Sequence, residues 1–257
     1  MQRFDRELPP GLESLVRDGS PAGLILNEAQ TRTADLIILA CRERHRLTEI
    51  IFRPLVDRVL RESRGQVLLV PERCHRPWPP EPGQFIVVPL DGSKRAELAL
   101  KPALALARRF SASLLLHCVA RPTNFAYLGF VEALTYPPLE IPVLMERAAR
   151  YLLEIRPVVE ASGVRTLAAI DIGDAADKIA EMTKRDDVAA VVITGSRRNG
   201  LARWTGRSVE AELSDLAQVP ILVVPLIVGV PLPRRHGRRW ILQLGQRRAE
   251  EAIAPTL

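Results

Sequence analysis

Cysteine is scarce in this sequence: Cys41, Cys74 and Cys118 stand far apart and form no CxxC pair. That spacing argues against a structural zinc site, and the thiols read as buried or incidental. A membrane-spanning run is also missing. The longest apolar stretch, VPILVVPLIVGVPL (219–232), is too short and too broken by proline to cross a bilayer. The opening residues MQRFDRELPP lack the apolar segment of a signal peptide, so a cytoplasmic protein without a membrane partner is expected. Catalytic signatures are absent too. No Ser-His-Asp set, paired-carboxylate signature or metal-ligand spacing appears, and the chain reads as a non-enzyme.

Acidic charge is in deficit, with 30 Asp and Glu against 36 Lys and Arg. The excess is local: residues 231–257 carry six Arg against Glu250 and Glu251. A solvated basic tail explains this better than a nucleic-acid-binding arm, so nucleic acid is not among the expected partners. Hydrophobic residues make up 47% of the chain, enough to build a core of ordinary size.

The chain repeats itself. ADLIILA (34–40) matches AAVVITG (189–195), GQVLLVP (65–71) matches VPILVVP (219–225), and GSPAGLILNEA (19–29) matches GDAADKIAEMT (173–183). The offset is 154, with a one-residue gap absorbing a slip between the outer matches. Projected backwards, Met1 falls opposite Ile155, so the first copy has no counterpart to residues 84–154. Between the copies lies ERCHRPWPPEPGQ, expected to be a stiff extended linker. The division is therefore 1–71, the back half of a unit; 72–84, the linker; 84–226, a complete unit; and 227–257, the basic tail.

The complete unit alternates strands and helices. FIVVPL (85–90) is the continuous apolar run of a doubly covered parallel strand. Ser93 is placed to cap the helix KRAELALKPALALARRF, with Leu98, Leu104, Leu106 and Phe110 as its inner side and a kink at Pro102. ASLLLHCV (112–119), VRTLAAI, DVAAVVI and PILVVP supply four more strands, with helices near 138–162, 174–185 and 206–217. His117 ends the second strand, where packing is its expected role. Asp171, Asp174 and Asp177 flank a helix start, where carboxylates suit the dipole. The loop 121–142 carries Phe125, Tyr127, Phe130 and Tyr136, which serve either as a lid or partner surface or as local packing. The pattern is an open parallel α/β sheet with right-handed crossovers.

Ligands in such sheets sit beyond the carboxyl ends of strands, where strand order reverses. There VVPLDGS presents Asp91, Gly92 and Ser93, and VVITGSRRNG presents Gly195 and Ser196. FIVVPLDGSKRAELALKPALALAR, ASLLLHCV and VVITGSRRNGLARWTGRSVEAELSDLAQVPILVVP together resemble a universal stress protein domain over 84–226. Residues 12–71 resemble the back half of another, so the whole is similar to a tandem universal stress protein shortened at its amino end. The resemblance implies a five-stranded parallel sheet in the order 3-2-1-4-5. Helices cover both faces, and an adenine-nucleotide crevice lies between strands one and four. It also implies strand LESLV (12–16) in the partial copy. Finally, it implies pairing through last strands, 67–70 against 221–224, within the chain or between chains of a dimer.

ATP-binding relatives share a loop of Gly, two residues, Gly, nine residues, Gly, then Ser or Thr. On that resemblance the nucleotide site comprises Pro89, Asp91, Gly92, Cys118, Gly195, Ser196, Arg198, Arg207, Ser208 and Val209. Arg198 and Arg207 stand where the second and third glycines belong, and the loop is one residue short. Glycine permits φ > 0 and a close phosphate; an arginine side chain fills the same space. Arg197, Arg198, Arg203 and Arg207 either hold an anion by their side chains or stand solvated, and the sequence leaves both open. The site reads as degraded, with ATP or another adenine nucleotide as its only candidate ligand. In the first copy Ala40, Glu43 and Arg53 occupy the glycine positions and Pro54 the Ser position, which excludes such a site. The expected function is a stress-response protein acting through assembly or a protein partner, with an ATP-binding switch as the alternative.

Overall fold

A computed structural model of the chain describes residues 15–41, 49–74, 76, 78–121, 140–195, 209, 213 and 216–226. Its first elements are α1 (Pro21–Thr31), β1 (Leu36–Cys41), α2 (Glu49–Glu62) and β2 (Gln66–Pro71). After the linker come β3 (Phe85–Leu90), a 3-10 turn (Ala96–Ala99), α3 (Leu100–Phe110) and β4 (Ser113–Ala120). Then follow α4 (Glu140–Glu160), β5 (Thr166–Ile172), α5 (Ala175–Met182), β6 (Val188–Thr194) and β7 (Ile221–Val224). Leu15 and Val16 are exposed and outside any strand, so the described end of LESLV is not the strand the family resemblance implied. The rest of that segment, the 121–142 aromatics, most of the 206–217 helix and the tail lie outside the described residues.

The strands form one seven-stranded sheet in the order β1-β2-β7-β6-β3-β4-β5. Within the complete copy this is the 3-2-1-4-5 order, all parallel. The partial copy does not stand apart as a second sheet. β2 runs antiparallel to β7, with Val67 opposite Val223, Leu68 opposite Leu222 and Leu69 opposite Ile221. β1 then extends the sheet parallel to β2.

Ladder register refines the repeat. Ile37 pairs with Val67 and Ile38 with Leu68; adding 154 to each gives the pairs Val191 with Ile221 and Val192 with Leu222. The same offset holds through Ala40, so no gap is needed there, and Cys41 rather than Ala40 corresponds to Gly195. Pro54 sits inside α2, a helix whose loop-side amide it cannot supply.

Two apolar layers cover the sheet. On one face α3 and α4 pack through Leu100, Ala103, Ala107, Leu152 and Val159. On the other, Val59 of α2 and Ala22 of α1 join Ile179 of α5, Leu213 and Val219 in a single cluster that also holds Leu69 and Ile221. The half-copy therefore shares the complete unit's core, which a lone pair of strands could not replace.

Local details depart from the sequence reading for physical reasons. Ser93 Oγ accepts from the Ala96 amide at 3.1 Å, capping a 3-10 turn that precedes the α-helix. Pro102 consequently falls in the first turn of α3, where its missing N–H costs nothing. The inner face of this helix is Ala99, Leu100, Ala103 and Ala107, not the leucines expected; alanines let the helix sit close to the strands. Leu104 and Leu106 pack at its flank. The linker is no simple tether. The Arg76 guanidinium donates to the carbonyls of Arg185 (3.0 Å) and Asp186 (3.2 Å) and to Asp186 Oδ1 (2.9 Å), just past α5. Trp78 meets Phe110 edge-on at 6.0 Å.

Gly65 is the tightest point of the half-copy. A Cβ there would lie 2.9 Å from the Ala34 carbonyl oxygen and 3.0 Å from that of Asp35. Gly65→Ala is thus expected to destabilise the chain by about 1–3 kcal/mol, measured by thermal unfolding. An unchanged midpoint would contradict that close approach.

Candidate functional site

Because β3 and β6 are adjacent while their crossovers lead to opposite sides of the sheet, their carboxyl ends open a crevice. Asp91 stands exposed at its mouth. One carboxylate oxygen, Oδ1, accepts from the Ser93 amide at 2.9 Å, closing a turn that needs Gly92 at φ 80°. Nothing lies within 4 Å of where a Gly92 Cβ would point, so the mouth is open there.

The opposite lip is Gly195. Its amide donates to the Val224 carbonyl at 2.9 Å, extending the β6–β7 ladder by one residue. This N–H is spent within the sheet and faces no ligand. Thr194 Oγ1 reaches the Ala96 carbonyl at 3.5 Å, tying β6 to the turn after Ser93. Among the other expected site residues, Pro89 lies on β3 opposite His117, and Cys118 lies opposite Leu90. Strand alternation puts Pro89 and Cys118 on different faces. Cys118 is buried; that burial, and next the Asp91 charge, push its thiol pKa up, which makes it inert. Val209 packs its side chain against the α2–α5 face. Ser196, Arg198, Arg207 and Ser208 lie outside the described residues.

Behind the crevice is a charged cluster that the sequence reading missed. The Glu97 carboxylate is fully buried, paired with Lys94 Nζ and reached by the Tyr151 hydroxyl at 3.5 Å. Burial first, then the charges of Glu97 and Asp91, raise the Tyr151 phenol's pKa so that it remains a donor. The Lys94–Glu97 spacing was a readable signal, since i,i+3 partners share a helical face. Tyr151, from α4, left no such mark. These groups hold the Asp91 turn against α4, and a buried ion pair of this kind tolerates loss of neither partner.

On the sheet's other face His117 is fully buried and meets Asp171 Oδ2 through Nε2 at 2.8 Å. With Nε2–H donating, Nδ1 is the deprotonated atom, and it is the one buried side-chain nitrogen or oxygen among the described residues without a partner. Asp171 therefore pairs with His117, while Asp174 caps α5 by accepting from Ala176 at 2.9 Å. Among the described residues no cluster of three or more His, Cys, Asp or Glu could hold a metal ion. Nor is any helix among them long and apolar enough to cross a membrane. Two surface hollows lie away from the crevice, about 260 Å³ beside Val143–Arg150 and about 460 Å³ between α1 and β1.

Burial lowers the His117 pKa below its usual 6.5, and the charge of Lys178 adds to this; the Asp171 hydrogen bond and charge oppose it without prevailing. The unfolded chain therefore binds a proton near pH 6.5 that the folded chain refuses. The stability is fully present above that pH and declines as pH falls below it, by up to about 1.4 kcal/mol per unit. His117→Leu is expected to flatten the fall in thermal midpoint between about pH 6.5 and 5. Identical slopes in both proteins would contradict a buried neutral imidazole.

Comparison with known proteins is consistent in kind. The profile of the Universal stress protein family matches residues 2–71 and 84–225. No curated protein sequence matches the chain. A protein of unknown function from Pseudomonas aeruginosa is similar in structure at 20% identity. The alignment covers 81% of this chain and 69% of that one, with a TM-score of 0.56. A second Pseudomonas aeruginosa protein, described as a universal stress protein, gives 20% identity, the same coverages and a TM-score of 0.55. A universal stress protein from Archaeoglobus fulgidus gives 14% identity over 80% of this chain and 65% of that one, with a TM-score of 0.56. At these identities the likeness is one of fold.

Proposed function

The chain belongs to the universal stress protein family, and from that membership we propose a cytoplasmic, non-enzymatic stress-response protein that acts through assembly or partner binding. Its nucleotide crevice is degraded. The observation that carries this reading is the Gly195 amide, which donates to Val224 and is lost to any phosphate. A phosphate cradle works by convergent, unspent N–H groups at a helix start, and the first of them is missing here. Arginines in place of the second and third glycines support the same conclusion from the sequence. Among the described residues, no group at the crevice is arranged as a nucleophile beside a base: Asp91 closes a turn, and Cys118 is held as a thiol.

One observation favours a second reading, an ATP-binding switch. Asp91 is exposed beside open space at Gly92, leaving its outer oxygen able to accept from a ribose or an adenine amine. The two readings differ in affinity. Titration of labelled ATP into the full chain is expected to give a Kd in the millimolar range or weaker, no better than about −4 kcal/mol. Asp91→Ala should leave that value unchanged. Micromolar binding that Asp91→Ala abolishes would replace the first reading with the second.

A further inference from the structure

The two halves of the sheet are covered unequally, and the repeat shows by how much. At an offset of 154, Leu36 and Ile38 of β1 correspond to Ala190 and Val192 of β6. Ala190 and Val192 are 0% exposed, because β3 lies beside them and the 3-10 turn and α3 lie over them. Leu36 is 42% exposed and Ile38 61% exposed. Ala40, next along the same face, is exposed as well. Among the described strands β1 ends the sheet. Leu15, 41% exposed, lines a surface hollow together with Leu36 and brings the large apolar side chains bared near this end to three. Isolated exposed leucines are ordinary, but a contiguous apolar strip on a strand is a docking surface.

We infer that the β1 end of the sheet receives a strand–turn–helix segment from a polypeptide outside these 257 residues, built like Phe85–Phe110. The internal copy specifies its chemistry. β3 pairs Phe85 with Val188, Ile86 with Ala190 and Val87 with Val191, so an incoming parallel strand lies opposite Ala34, Leu36 and Ile37. That strand is apolar on both faces, as β3 is along its whole length. After a turn of a few residues its helix crosses Leu36 and Ile38 with alanines inward, as Ala99, Ala103 and Ala107 do over β6. Recognition of this type combines a backbone ladder for affinity with side-chain pockets for choice of partner. A second copy of this chain is a poorer occupant, since its own segment of this kind is already seated in its own sheet. The inference gives the partner-binding reading a surface and rests on that reading. Its failure would remove the surface, while the ATP titration continues to test the crevice on its own terms.

The test uses the full chain and a fluorescein-labelled peptide of residues 84–110, with a scrambled peptide as control. Saturable one-to-one binding is expected, together with slower exchange of the edge-facing Leu36 and Ile38 amides on peptide addition. Ile38→Lys, at an exposed position, should weaken binding at least tenfold without changing the thermal midpoint. No binding, or binding that Ile38→Lys leaves unchanged, would overturn the inference. Protection of the Leu36 and Ile38 amides, which face away from β2, in the chain alone would overturn it too, because the edge would already be covered from within. A dimer seen by sedimentation and dissolved by Ile38→Lys would also overturn it, assigning the face to a second copy.

Discussion

The antiparallel ladder between β2 and β7 is the constraint on which the rest of the structure depends. It joins Val67, Leu68 and Leu69 to Val223, Leu222 and Ile221, and so turns a complete sheet and a fragment into one. Two strands with two helices bury too little surface to offset the entropy of ordering them. Attached to β7, the same residues bury Val59, Val67 and Leu69 in a cluster that continues through Val191, Val219 and Ile221. Each such side chain contributes about 1.5–3 kcal/mol on burial, which the fragment could not gain alone. Arg76 reinforces the attachment from the linker side by donating to the Arg185 and Asp186 carbonyls in the turn between α5 and β6.

The same sheet also frames the crevice. β6 lies between β7, which carries the ladder, and β3, which carries the Asp91 turn. The hydrogen bond from Gly195 to Val224 continues the β6–β7 register past the end of β6, and it converts a loop donor into a strand donor. This bond lies within the complete unit and does not involve β2. On the other lip, the buried Lys94–Glu97 pair and Tyr151 hold the turn so that Asp91 remains at the surface. Among the described residues, the crevice presents the Asp91 carboxylate on one lip and, on the other, the Gly195 amide bonded to Val224.

Much of this was legible in the sequence, and the exceptions have identifiable causes. Continuous apolar runs such as FIVVPL marked doubly covered strands, and the order of the five strands in the complete unit followed from the family resemblance. The inner face of α3 was misread because hydrophobicity favours leucine, whereas a helix lying close to a sheet selects alanine by size. Asp171 was assigned to a helix dipole because its partner, His117, is 54 residues away on a neighbouring strand. Tyr151 was invisible for the same reason, being 54 residues from Glu97. The Gly195 amide could not be judged from composition at all, because a glycine at a strand end looks the same whether its N–H faces a ligand or a ladder. Arg198 and Arg207, read as displaced glycines, lie outside the described residues and stand on sequence alone.

Native-state hydrogen exchange under rising denaturant tests the shared sheet most directly. Amides of Val67–Leu69 in β2 and of Leu222–Val223 in β7 would be followed together in the full chain. A single core joined by the β2–β7 ladder predicts the same opening free energy for both sets. Opening of the β2 amides at markedly lower free energy, with β7 still protected, would contradict it and return the first half to a separate, weaker unit.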